Sequence, residues 1–138
     1  MVLFSVNSLS RGRGATTDAW SRSGSSVGKA MKIGAIVQAR MGSTRLPGKV
    51  LLPLPGDLKT VLDLIGYRLK QSRRLDKIII ATTTKKNDDQ VKKFTDQSKF
   101  ICFRGDENDV LDRHYQAACR EGLDVVVRIP GDKPCVDP

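Results

Sequence analysis

Aromatic side chains make up only 5% of this chain. No basic run is interleaved with Phe or Tyr, as a stacking platform for single-stranded nucleic acid requires. Cysteine is almost as scarce: Cys102, Cys119 and Cys135 are too few and too widely spaced for a disulfide framework, and there is no C-x-x-C. A reducing cytoplasm suits them, and each reads as a small buried hydrophobe, with Cys135 nearest to a candidate site. The single histidine, His114, stands at helical spacing beside apolar residues. Without companion ligands it reads as a packing residue rather than a metal ligand. No apolar run approaches the roughly 20 residues of a membrane span, so no membrane partner is expected. Acids are outnumbered, 15 Asp and Glu against 24 Lys and Arg, for a net charge of +9. That balance favours anionic partners. The charge is spread rather than striped, which favours nucleotides or phosphorylated metabolites over nucleic acid.

What is present suits one ordinary domain: 138 residues, 39% of them hydrophobic. Residues 1–30 are rich in Ser, Thr, Gly and Arg, lack apolar periodicity and hold one acid, Asp18. They are expected to be a disordered leader, loosely like an organellar transit peptide but more simply upstream sequence before Met31. Residues 31–138 remain basic.

From Met31 onward, strand-like and helix-like patterns alternate. The apolar run from Ile33 to Ala39 predicts a strand covered on both faces. Leu58, Val61, Leu62, Ile65 and Leu69 predict a helix over 58–72, with Arg73 and Arg74 at its carboxyl end. Lys77–Ala81 predicts a second strand. Asn87 and Gln90 suggest a capping box for the next helix, with Asp88 and Asp89 in its first turn and Val91 and Phe94 inward. The lysines at 85, 86, 92, 93 and 99, interspersed with Asp88, Asp89 and Asp96, read as a solvated face. Phe100–Phe103 is a third strand, residues 109–121 a helix with Val110, Leu111, Tyr115 and Ala118 inward and Gly122 as its left-handed cap, and Asp124–Ile129 a fourth strand. The alternation predicts an α/β fold with a parallel sheet and helices on both faces. Ligands of such sheets sit at the carboxyl ends of the strands. The loops at 40–49, 104–109 and 130–134 fall there.

The stretch from Gln38 to Lys49 carries the chemistry. Gly42 and Gly48 allow close backbone approach, Pro47 stiffens the turn, and Arg40, Arg45 and Lys49 supply three cations. A solvated basic turn is the plainer reading, but such turns seldom follow an apolar strand directly. The loop is not a Walker A motif: five residues separate Gly42 from Gly48, and Val50 rather than Ser or Thr follows Lys49. Nor is there a G-x-G-x-x-G. What remains is a cation-rich cradle for a triphosphate. Asp132, after Gly131 and between Pro130 and Pro134, is placed to hold Mg²⁺ against the same phosphates; a plain Gly-Asp turn is the alternative.

Together with Arg104-Gly105, Asp109-Val110-Leu111-Asp112-Arg113 and Arg128 before Gly131-Asp132, this loop resembles the cytidylyltransferase superfamily over residues 31 to 138. The resemblance is nearest to its spore-coat polysaccharide (SpsF) branch, and more distant to CMP-acylneuraminate and CMP-KDO synthetases. It implies a Rossmann-like nucleotide-diphospho-sugar transferase fold, of which this chain holds the parallel-sheet half. It also implies a cytoplasmic enzyme of polysaccharide biosynthesis that activates a sugar or sugar acid with CTP, and a homodimer at full length. In that family Arg40 and Lys49 would match the catalytic cations, assisted by backbone N–H groups near Gly42 and Ser43. Arg45, Ala39, Arg104, Gly105 and Asp109 would shape the nucleotide pocket. Arg128 would pair with Asp132 or with ligand, and Asp132 would match the magnesium carboxylate. Lys133 and Cys135 depart from the small and aliphatic residues usual there. Family members continue well past Pro138, so the resemblance implies a chain cut short before the sugar pocket. A non-catalytic nucleotide or polyanion binder and a glycosyltransferase-type role are the alternatives.

Overall fold

Every apolar run read as a strand enters one sheet, because each is short, rich in Val and Ile, and bounded by turn residues. The computed structural model describes residues 2–5, 30–56 and 60–137. Its strands are β1 (Val2–Ser5), β2 (Ile33–Gln38), β3 (Lys77–Thr83), β4 (Ile101–Gly105) and β5 (Val125–Pro130), and its helices are α1 (Val61–Leu69), α2 (Asp89–Ser98) and α3 (Val110–Glu121). The sheet order is β1-β5-β2-β3-β4, with β2 to β5 mutually parallel and β1 antiparallel on the edge. In register, Val37 of β2 faces Ile80 on one side and Ile129 on the other.

Side-chain alternation along the strands divides the interior into two layers. Ala35, Val37, Ile80, Val127 and Ile129 pack with Leu62, Ile65 and Leu69 of α1 and Val91 and Phe94 of α2. Ile36, Ile79, Ala81 and Val126 pack with Ala117 and Ala118 of α3 and with Leu123. Helices therefore cover both faces, as the alternation predicted. The strands run β2, β3, β4 outward in one direction, and then α3 returns the chain across the sheet to place β5 on the other side of β2. The seam between β2 and β5 is thus the topological switch point, where ligands of such sheets bind.

Several local expectations need correction. The first helix is shorter than 58–72: Thr60 caps it, accepting the Asp63 N–H at 3.2 Å, and it ends at Leu69. Leu58 lies outside the described residues, and Arg73 and Arg74 are exposed beyond the helix end. Asn87 does not cap α2. A 3-10 turn over Lys86–Asp88 precedes the helix, and the side chain of Asp88, the residue before it, makes no cap bond. The lysines at 85, 86, 92, 93 and 99 are exposed as expected, but Asp88 is buried. In α3, Leu111 points to solvent, 63% exposed, because Arg113, His114, Ala117 and Ala118 occupy the inward phase. Gly122 does cap α3 in the left-handed region, at φ 65°. Arg104 and Gly105 belong to β4 rather than to a loop, paired with Thr82 and Thr83. Cys119 and Cys135 are exposed and Cys102 is half-buried, so none is the fully buried hydrophobe expected. His114 is buried against the sheet, its Nδ1 2.7 Å from the Val110 carbonyl oxygen, and burial lowers its pKa. Of the expected disordered leader, Val2–Ser5 is instead an edge strand; residues 6–29 lie outside the described residues.

Candidate functional site

The chain leaves β2 through Ala39, which is fully buried and donates its N–H to the Ala81 carbonyl at 3.0 Å. From Arg40 on, the two backbone groups of Met41 organise the loop. Its N–H donates to a carboxylate oxygen of Asp88 at 2.7 Å, and its carbonyl accepts N–H bonds from Ser43 at 2.9 Å and Gly48 at 3.0 Å. The two ends of the turn are thereby held together. Gly48 has φ 71°, a left-handed conformation that L side chains rarely adopt. It turns the chain into a 3-10 turn, Lys49–Leu51, whose Val50 is buried in the α1-side core. Lys49 is consequently presented from a fixed base. The backbone N–H groups of Gly42, Thr44 and Arg45 have no intramolecular acceptor among the described residues and remain free for an anion.

β5 delivers the second half of the site. Gly131 donates its N–H to the Gln38 carbonyl at 2.9 Å, and a Cβ there would collide with that same oxygen. Only glycine lets the turn after β5 approach β2 this closely. Asp132 follows, and its Oδ2 lies 2.5 Å from Lys49 Nζ. The hydrogen bond from Lys49 holds the Asp132 carboxyl below the usual carboxylate range. A cleft of about 310 Å³ opens here, lined by Gln38, Arg40, Ser43, Thr44, Arg45, Lys49, Val50, Pro130, Gly131 and Asp132.

The structure therefore brings Arg40, Ser43, Arg45, Lys49 and Asp132 together around one cleft. The other candidates lie elsewhere. Ala39 is fully buried in the α1-side core, and Gly42 is exposed beside Glu107. Arg104 ties elements together: Nε donates to the Thr83 carbonyl at 2.8 Å, Nη2 to the Lys85 carbonyl at 2.9 Å, and Nη1 pairs with Asp89 at 2.7 Å. Gly105 makes room for the Arg113 side chain, and Asp109 caps α3, accepting the Asp112 N–H at 2.7 Å. Arg128 does not pair with Asp132. It projects on the α3 side of the sheet, where Nη2 donates to Gln38 Oε1 at 3.2 Å, while Lys49 takes Asp132.

Two residues escaped the sequence reading. Asp88 is one. Arg113 is the other: a fully buried guanidinium that donates from Nη1 to the Asp106 carbonyl at 2.5 Å. Burial, and then the nearby charge of Arg40, push its pKa down. Helical spacing held the signal for Arg113, since it shares an inward phase with Ala117. A charged residue there is unusual enough to suggest a role. Nothing local distinguished Asp88 from the exposed acids around it.

A family model described as cytidylyltransferase matches residues 34–138. The chain belongs to the cytidylyltransferase family. Among curated relatives it is 50% identical over 104 residues to an uncharacterized protein of Methanocaldococcus jannaschii, covering 75% of this chain and 42% of that one. It is 43% identical over 107 residues to the spore coat polysaccharide biosynthesis protein SpsF of Bacillus subtilis, covering 75% and 44%. Among solved structures, a cytidylyltransferase from Leptospira borgpetersenii superposes with a TM-score of 0.73 at 41% identity, over 78% of this chain and 44% of that one. A CMP:2-keto-3-deoxy-manno-octonic acid synthetase complexed with CTP follows at 0.62 and 26% identity, over 78% and 43%. The chain spans less than half the length of each of these four relatives. Among the described residues no helix is long and apolar enough to cross a membrane.

Proposed function

We propose that this chain supplies the nucleotide-binding half of an enzyme that activates a sugar or sugar acid with CTP. In that reaction a sugar hydroxyl oxygen forms a bond to the α-phosphorus, the bond from that phosphorus to the bridging oxygen breaks, and pyrophosphate leaves. The observation that carries the reading is the convergence of Arg40, Arg45 and Lys49 on one cleft, with Asp132 paired to Lys49 at its lining. A single cation–phosphate pair at about 4 Å contributes roughly 4 kcal/mol at an effective dielectric near 20, before desolvation. The family and the CTP-bound relative favour cytidine nucleotides over other anions.

The donor set also fits Mg²⁺. Among the described residues no three His, Cys, Asp or Glu side chains cluster, so the protein offers no closed cage. Magnesium instead favours one or two carboxylates plus substrate phosphate oxygens. Asp132, whose Oδ2 accepts from Lys49, is that carboxylate. Bound there, the ion would neutralise charge on the departing pyrophosphate. Arg40 and Lys49 would hold the triphosphate and offset its charge, and the free amides near Gly42 would fix its orientation.

Titration of the chain with CTP, with and without Mg²⁺, tests the proposal. Saturable binding strengthened by Mg²⁺ is expected, and Lys49→Ala should weaken it by about tenfold to a hundredfold, the scale of one charge-assisted contact. In a form that turns over, the same change should lower the rate by roughly two to three orders of magnitude. Binding of any polyanion that simply declines with salt would instead mark a non-catalytic polyanion binder.

A further inference from the structure

We propose that Asp88 is the positioning residue of the phosphate loop, acting through the Met41 N–H; the inference rests on the nucleotide reading above. Asp88 stands immediately before α2, where an aspartate ordinarily turns its side chain onto the helix's own free N–H groups. It does not do so here. Its carboxylate reaches across the carboxyl edge of the sheet to a residue 47 positions earlier and accepts the Met41 N–H at 2.7 Å. The other carboxylate oxygen accepts the Thr83 hydroxyl, and Asp88 is only 3% exposed.

The support beneath the carboxylate is rigid. Thr83 is fully buried at the end of β3, its Oγ1 also accepts the Lys85 N–H at 3.2 Å, and the Asp88 N–H donates to the Lys85 carbonyl at 3.0 Å. A buried charge with no salt-bridge partner among the described residues is costly to keep. Here the carboxylate is shared between the Thr83 hydroxyl and one amide of the loop. Met41 is also the residue whose carbonyl, in the next peptide unit, gathers the N–H groups of Ser43 and Gly48, so anchoring its N–H holds the residue on which the turn closes. The anchored peptide unit joins Arg40 to Met41, and the next one carries the free amide of Gly42. Loss of the carboxylate would therefore release the loop without touching any group that meets the ligand. Arg113 feels the charges of both Arg40 and Asp88, while its own hydrogen bond goes to the Asp106 carbonyl.

Three variants, Asp88→Ala, Asp88→Asn and Thr83→Val, test the assignment by NMR amide exchange and by calorimetric titration with CTP and with inorganic tripolyphosphate in Mg²⁺. In Asp88→Ala the Met41 amide should lose its protection, and both probes should bind about tenfold to a hundredfold more weakly. The amides of α1 and α3 should stay protected. Asp88→Asn keeps an acceptor oxygen and should restore most of the affinity and the Met41 protection, which loss of a generic core contact would not predict. Should Asp88→Ala fail to fold, Thr83→Val decides through a smaller loss in the same direction. Unchanged Met41 exchange in the folded variants, or unchanged affinity alongside lost protection, overturns the proposal. A wild-type chain that binds neither probe strikes down the nucleotide reading, and with it the role proposed for Asp88. Tripolyphosphate binding without CTP selectivity strikes only the cytidine assignment.

Discussion

Lys49 and Asp132 meet across the β2–β5 seam, and their pairing makes a residue-level prediction. The lysine depresses the Asp132 carboxyl mainly through its hydrogen bond. A carboxylate with a lowered folded-state pKa adds stability above its unfolded value, near 3.9, and that stability is lost as the pH falls through the folded value. Because the Asp132 side chain is 44% exposed and Lys49 29%, solvent screens much of the effect. The readout should therefore be the titration itself. In Lys49→Met the Asp132 carboxyl carbon, followed by NMR, should titrate higher than in wild type and close to an ordinary aspartate. An unmoved midpoint would show that the ion pair is not held in solution. The cationic loop and the Gly-Asp turn were both legible in the sequence, because glycine, proline and clustered charge are local signals. The choice of Lys49 rather than Arg128 as the partner of Asp132 was not, since it depends on which face of β5 Arg128 takes and on where the turn after Gly48 delivers Lys49.

At the level of elements, α3 separates capping from ligand binding. Asp109 accepts the Asp112 N–H at 2.7 Å, so its carboxylate is committed to the first turn of the helix. Asp109→Ala should cost about 1 kcal/mol of stability in urea unfolding, as loss of an N-cap usually does, while Asp109→Asn costs much less. CTP affinity should change less than threefold in either. A tenfold loss of affinity in the folded Ala variant would instead place Asp109 in the nucleotide pocket. The helix was readable from its apolar spacing and Gly122, whereas Asp109, its capping aspartate, reads in the sequence as the first residue of the helix. Its phase was misread at Leu111 because a charged arginine and a histidine hold the inward positions that hydrophobicity alone would have given to leucine. The ends of β3 and β4 were also placed too early. Thr82, Thr83, Arg104 and Gly105 are polar or small, yet they continue the ladder because their backbones find partners across the strands.

For the molecule as a whole, the decisive feature is that two hydrophobic layers share the same strands. Alternating strand and helix patterns were enough to read the parallel sheet and its covering on both faces, because each element carries its own periodicity. The edge strand β1 was not readable, since four residues next to a Ser- and Arg-rich stretch show no period, and antiparallel pairing with β5 is a long-range property. Sharing has an energetic consequence. Ile36 lies in the α3-side layer and Leu62 in the α1-side layer, and both are fully buried. Truncating either to alanine should cost about 2–5 kcal/mol, a large part of the 5–15 kcal/mol typical of a domain. Since Ile36 sits on β2 between Ala35 and Val37, which face the opposite layer, loosening one side removes support from the other. Hydrogen exchange should then show the most protected amides of both α1 and α3 losing a similar amount of protection in Ile36→Ala, and again in Leu62→Ala. Loss confined to the helix on the substituted side would mean that the layers open independently, and that the β2–β5 seam carrying Lys49 and Asp132 is held by only one of them.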